Sequence, residues 1–224
     1  MPRKARHVVP QVPHHISQRG NNRQDVFFTN DDFQLYLGLL KHHAIEFSLD
    51  LLGYCLMTNH VHIIAIPMEK DSLAIAMGRT NWKYAQIINR LHARSGHLWQ
   101  DRFHSCALDD AHLHQAMAYM ELNPVRSKMA HRAWEYPWSS AKAHVEGHDE
   151  ADLLVMGDWL RRNPPREWKK TLTKAGDKTF ANELELHLRR GRPLGSDAFV
   201  AKLEAMLGVR LRALPEGRPR KRSK

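Results

Sequence analysis

Residues 49 to 66 constrain the fold most. Leu49-Asp50-Leu51-Leu52-Gly53-Tyr54-Cys55-Leu56-Met57 is an apolar run, Thr58-Asn59 reads as a turn, and His60-Val61-His62-Ile63-Ile64-Ala65-Ile66 is a second apolar run. Two such runs across a short polar connection make a β-hairpin. Side chains along a strand alternate between faces, so His60 and His62 leave the same face one pleat apart, close enough to share one cation. Val61 and Ile63 then pack the other side. Histidine is the commonest metal ligand, yet most histidines ligate nothing, so the pair alone reads more readily as hydrogen-bonded strand-end residues.

The flanking segments give the hairpin its company. Val12 to Arg23 reads as a short strand running into a Gly-Asn turn that carries Arg19, Asn21, Asn22 and Arg23, a loop suited to phosphate or base contacts. The N-cap cluster Thr29-Asn30-Asp31-Asp32 precedes Phe33, Tyr36, Leu37 and Leu40 at helical spacing, which predicts a helix over 31–47. A second helix is expected over 71–94, with Gly78 as a possible interruption, a strand over 103–108, and a helix over 111–123 stopped by Pro124. The pattern implies an α+β fold, a ferredoxin-like antiparallel sheet with helices packed mainly on one side.

Helical spacing also sorts the tyrosines. Tyr36 and Tyr84 fall on apolar stripes and read as core. In the 111–123 helix the stripe is Leu113, Ala116, Met117 and Met120, whereas Tyr119 and Asn123 lie off it, one turn apart, presenting a phenol beside a carboxamide.

The chain of 224 residues has a formal net charge of +10, distributed unevenly. Residues 1–23 supply +5 and residues 210–224 supply +6, leaving about −1 between them. Basic ends on a near-neutral body point to a polyanion, most readily nucleic acid. Two cysteines, Cys55 and Cys106, make no disulfide framework, and no apolar run suits a membrane span or signal peptide. The expectation is a cytoplasmic, nucleoid-associated protein with no membrane partner. Composition shifts near 149, which divides the chain into 1–148 and a basic α-helical extension, 149–224, with helices expected at 151–162, 178–190 and 196–207. Its tail, Gly217-Arg218-Pro219-Arg220-Lys221-Arg222, looks like an AT-hook, which would lay Arg218, Arg220, Lys221 and Arg222 along a narrow minor groove.

Several runs carry a resemblance. His60-Val61-His62, Asn89-Arg90-Leu91-His92, Ser95-Gly96-His97-Leu98-Trp99-Gln100-Asp101-Arg102-Phe103, Tyr119-Met120-Glu121-Leu122-Asn123-Pro124-Val125-Arg126 and Trp138-Ser139-Ser140 occur in the order seen in the REP-associated tyrosine transposases. These are HUH single-strand endonucleases related to the single-tyrosine transposases of small insertion sequences, and the resemblance covers most of residues 10–145. It implies that His60 and His62 are paired metal ligands, Tyr119 the nucleophile and Asn123 the third ligand. Asparagine stands where related transposases often carry glutamine, and it precedes Pro124, which disfavours helical geometry at 123. The resemblance further implies single-stranded DNA and a palindromic DNA hairpin as partners, with the enzyme a monomer or homodimer.

The chemistry follows from these groups. A cation on a non-bridging oxygen offsets charge developing on a phosphodiester, and two imidazoles with an amide oxygen suit Mg²⁺ or Mn²⁺. On that resemblance, attack by Tyr119 would leave a 5′-phosphotyrosine and free a 3′-hydroxyl. Two other readings stand beside this one. One is a domesticated hairpin-binding or regulatory protein without cleavage. The other is a zinc site built from His60, His62, His104 and Cys106.

Overall fold

The computed structural model describes residues 6–174 and 178–213. Strand β1 (His14–Arg19), helix α1 (Asn30–Glu46), strands β2 (Leu49–Met57) and β3 (His60–Pro67), helix α2 (Ser72–Leu91) and strand β4 (His104–Ala107) follow in chain order. The strands form one sheet of order β2-β3-β1-β4 with every neighbouring pair antiparallel. This is the βαββαβ arrangement of the ferredoxin-like fold. The AT-hook-like residues Arg218, Arg220, Lys221 and Arg222 lie outside the described residues.

Local chemistry sets the first helix. The Thr29 side chain accepts from the Asp32 backbone N–H and Asp32 reaches back to the Thr29 N–H, a capping box that fixes where α1 begins. Helices α1 and α2 bury Phe33, Tyr36, Leu40, Leu73, Met77, Tyr84 and Ile88 against Ile16, Leu56, Val61 and Ile63 of the sheet. Tyr36 and Tyr84 are core residues as expected; their hydroxyls donate to Asn81 Oδ1 at 3.0 Å and to the Val26 carbonyl at 2.7 Å. Gly78 does not interrupt α2, because it sits on the exposed side, where the loss of helix propensity relative to alanine is only ~1 kcal/mol.

The opposite sheet face is also covered, so helices are not packed mainly on one side. Helix α3 (Asp110–Glu121), the single turn α4 (Asn123–Arg126), α5 (Ala141–Glu146), α6 (Gly157–Arg162), α7 (Pro165–Leu172) and α8 (Lys178–Arg190) supply that layer. Its core joins Cys55, Ile64 and Cys106 of the sheet to Leu113, Met117 and Met120 of α3 and to Trp159, Trp168, Leu172, Leu184 and Leu188. Helix α9 (Asp197–Leu207) makes a smaller cluster with Val9 and Ala107. Residues beyond 149 therefore complete the second layer of the same sheet. Pro164-Pro165, which looks like a separator in the sequence, begins α7, since proline in a first turn lacks only an N–H that has no partner there. Pro124 behaves likewise: α3 ends at Glu121, and Asn123 and Pro124 open α4, so Asn123 is helical after all. The helix expected at 151–162 occupies only Gly157–Arg162.

Two devices hold α3 down. Strand β2 has an irregular register between Leu51 and Gly53, and a Cβ on Gly53 would stand 2.5 Å from Met117 Sδ and 3.0 Å from Ser140 Oγ. The second is Glu121, a carboxylate with no exposed surface. It accepts from Ser140 Oγ at 2.6 Å, His144 Nδ1 at 2.6 Å and Trp168 Nε1 at 2.9 Å. A buried carboxylate is tolerable only when its lone pairs are satisfied, and removing it leaves His144 Nδ1 and Trp168 Nε1 without a partner, while Ser140 Oγ retains the Tyr54 carbonyl at 3.2 Å. Glu121→Ala is expected to lower unfolding stability by about 3–5 kcal/mol, read from the shift of the urea midpoint at constant m-value. A loss below about 1 kcal/mol would show that the network is no anchor.

Candidate active site

Strand β3 divides its side chains as the alternation requires. Val61, Ile63 and Ala65 enter the core under α1 and α2, while Ile64 enters the layer that contains α3, and His60 and His62 share its parity. The imidazole centroids are 5.0 Å apart with planes at 84°. Register places Arg19 opposite His60 and Ser17 opposite His62 on β1, with Met57 and Cys55 opposite them on β2. Burial, reinforced by the Arg19 charge, pulls His60 down to about 4, and burial with the neighbouring charges holds His62 well below its ordinary value. Both rings are therefore neutral at pH 7, the form that can ligate a metal.

The tautomer of His60 can be assigned. Asn59 Nδ2 donates to the Arg23 carbonyl at 3.1 Å, which leaves Asn59 Oδ1 as the acceptor facing His60 Nδ1 at 2.6 Å. The proton then lies on Nδ1, and Nε2 carries the lone pair. His62 Nδ1 meets His15 Nε2 at 2.9 Å. With both Nδ1 atoms engaged inside the protein, Nε2 of each ring is the nitrogen left for a cation, so the pair fits a divalent ion. The orphaned Nδ2 of Asn123 contributes nothing to such a site, since it is a donor.

Tyr119 projects from α3 toward this pair, its ring centroid 6.2 Å from that of His62. Of the five tyrosines it alone is not buried. The Arg126 guanidinium lies over its ring at 4.1 Å and donates to the Tyr119 carbonyl at 2.7 Å and to Asn123 Oδ1. The phenol donates to Glu185 Oε1 of α8 at 3.4 Å, and Arg189 pairs with the other carboxylate oxygen at 3.2 Å. Burial raises the Tyr119 pKa, Arg126 opposes that rise and Glu185 adds to it. Arg126, Glu185 and His15 were not legible as site residues. Only Arg126 left a trace, as the last residue of the run that begins at Tyr119.

The polar loop stands at the same end of the sheet. Gly20 N–H donates to the Asn59 carbonyl at 2.8 Å and Asn21 N–H to the Leu98 carbonyl at 2.8 Å, which docks the loop beside the β2–β3 turn. Asn22 and Arg23 are exposed with φ of 49° and 60°. The structure thus brings Arg19, Asn21, Asn22 and Arg23 next to His60. A cleft of about 230 Å³ on the β4 side is lined by Arg6, Arg102, His104, Arg189 and Arg190.

The zinc reading is corrected. Strand β1 lies between β3 and β4, so His104 stands beyond Ser17 from His62, and His60, His62, His104 and Cys106 do not converge. Among the described residues, the group of three or more histidine, cysteine and carboxylate donors that gathers within 4.8 Å is His42, His43 and Glu46 on α1, beyond the other face of the sheet.

With this geometry in hand, comparison with known proteins gives the class. Residues 8–123, more than half the chain, match the family model of IS200-like transposases, and the chain belongs to that family. The fold matches the structure of a REP-associated tyrosine transposase bound to a REP hairpin, with TM-score 0.54 and 16% identity over 65% of this chain and 86% of that one. A candidate transposase from Deinococcus radiodurans R1 aligns with TM-score 0.38 and 19% identity over 54% of this chain and 96% of that one. No curated protein sequence matches. No helix among the described residues is long and apolar enough to cross a membrane.

Because Arg126 opposes the rise in the Tyr119 pKa, Arg126→Ala is expected to move that ionisation to still higher pH. Ultraviolet titration of the tyrosinates reads this as a later first transition. An unchanged onset would show that the guanidinium does not act on the phenol.

Proposed function

We propose that this transposase cleaves and transfers single-stranded DNA at palindromic hairpins of the REP type through a Tyr119 5′-phosphotyrosine. The observation that carries the reading is that the one tyrosine not buried faces a neutral histidine pair from the helix opposite. His60 and His62 would hold Mg²⁺ or Mn²⁺, which supplies charge stabilisation at a phosphate oxygen when bound. Hairpin DNA as the substrate is drawn from the REP-associated structural neighbour, and the basic loop Arg19 to Arg23 beside the pair agrees with it. Residues 1–148 would carry the metal ligands and the nucleophile of the catalytic domain, and 149–224 would be an extension that supplies Glu185 and bears the basic tail.

Each step is assigned to a residue of this chain. Tyr119 Oη attacks phosphorus, the bond from phosphorus to the 3′ oxygen breaks, and that oxygen leaves with a proton. The ester conserves the bond energy, so a second 3′-hydroxyl can displace Tyr119 and reseal the strand without ATP. Glu185 Oε1 is the acceptor in place for the phenolic proton. Asn123 is the third candidate ligand, and its Oδ1 already accepts from Arg126, so a metal role competes with that contact.

The test is incubation of a labelled hairpin oligonucleotide with Mn²⁺ and a search for an SDS-stable adduct. Wild type is expected to form it and Tyr119→Phe to form none while still binding the hairpin. An adduct that survives Tyr119→Phe overturns the assignment, and tight binding without any adduct favours the non-cleaving hairpin-binding protein. Since the phenol pKa is raised, the phenolate fraction climbs with pH throughout the neutral range, so adduct formation should accelerate from pH 6 to pH 9. A flat profile would place proton removal outside the slow step. Asn123→Ala should weaken Mn²⁺ binding about tenfold if the amide ligates, and leave it unchanged if it serves Arg126 alone.

A further inference from the structure

We infer that His15 is a positioning residue for the metal-binding nitrogen of His62, an inference that rests on the reading of His60 and His62 as ligands. His15 projects from β1 to the same sheet face, opposite Ile64 and diagonal to His62. Its ring stacks on that of His62 with centroids 5.0 Å apart and planes at 28°, and its Nε2 lies 2.9 Å from His62 Nδ1. Both side chains are buried, so water cannot substitute for either partner.

Between two neutral imidazoles one nitrogen must donate and the other accept. When His62 donates from Nδ1, its Nε2 keeps a lone pair and can bind a cation. His15 then accepts at Nε2 and carries its own proton on Nδ1, which is buried with no hydrogen-bond partner. When His15 donates instead, its Nδ1 is a bare lone pair, the less costly orphan. His62 then carries its proton on Nε2 and presents no ligand there.

His60 differs, because the Asn59 amide oxygen accepts only and so permits one tautomer. The two ligands are therefore prepared unequally. His60 is fixed in its ligating form, while His62 reaches that form only by transferring the orphan position to a proton on His15. Ion binding must supply the difference, and His15 sets how tightly the site holds a cation.

The experiment measures Mn²⁺ affinity of the full-length protein without DNA, from the electron paramagnetic resonance signal of the free ion at neutral pH. Two substitutions are compared, His15→Leu, which removes the acceptor, and His15→Gln, whose amide oxygen can reach the position of Nε2 and accept. His15→Leu is expected to bind Mn²⁺ at least tenfold more weakly than wild type, as for loss of a partner behind a ligand. His15→Gln is expected to bind as tightly as wild type or more tightly. Equal affinity in all three proteins overturns the inference, and equal weakening in both variants reduces His15 to packing. If His15→Leu does not fold, judged by circular dichroism, His15→Gln decides alone, and tenfold weaker binding there overturns the proposal. Failure of wild type to bind Mn²⁺, or wild-type binding that survives His60→Ala with His62→Ala, would instead strike the ligand assignment itself.

Discussion

The site depends on how closely α3 lies against the sheet. Strand β3 sends His60 and His62 to one face by alternation alone. A tyrosine borne on a helix reaches that face only if nothing separates the helix from the strands. The missing side chain at Gly53 admits Met117 and Ser140, and Glu121 ties the end of the helix to Ser140, His144 and Trp168. Tyr119 precedes Glu121 by two residues, so the two project from different sides of α3. The side chain that points inward to anchor the helix thereby turns the phenol outward to the histidines.

What was legible in the sequence was what depends on local period. The hairpin, the shared face of His60 and His62, the burial of Tyr36 and Tyr84, and the off-stripe position of Tyr119 each follow from counting by two or by 3.6. What was not legible depends on distant contacts. His14 and His15 are adjacent and alike in sequence, yet only strand register shows that His15 meets His62 whereas His14 bonds the Val12 carbonyl. Glu185 lies 66 residues from Tyr119 and on an element whose docking no local pattern announces. The covering of the second sheet face escaped notice for the same reason, since an amphipathic helix declares that it has an apolar side without saying what that side meets. Pro165 and Pro124 misled because proline marks both where a helix cannot continue and where one can begin.

The charges around Tyr119 follow from this packing. Burial keeps His60 and His62 neutral, so the positive field at the site comes from Arg19 and Arg126 and not from the imidazoles. Guanidinium groups stay charged at any working pH and suit a phosphodiester, whose oxygens accept. Burial also holds the phenol protonated at neutral pH. A protonated phenol is a poor nucleophile, so under the proposed cleavage its proton would need an acceptor before attack.

Under the proposed cleavage, that requirement would give the extension a part in the chemistry. Glu185, held by Arg189, is the carboxylate that the Tyr119 hydroxyl meets, and α8 carries both residues. Helices α6 to α8 also complete the core beneath α3 through Trp159, Trp168 and Leu184. A chain ending at 148 would lose Trp168 from the Glu121 anchor and Glu185 from the phenol together. The boundary at 149 therefore separates segments by composition, while the contacts that anchor α3 and meet the Tyr119 hydroxyl cross it.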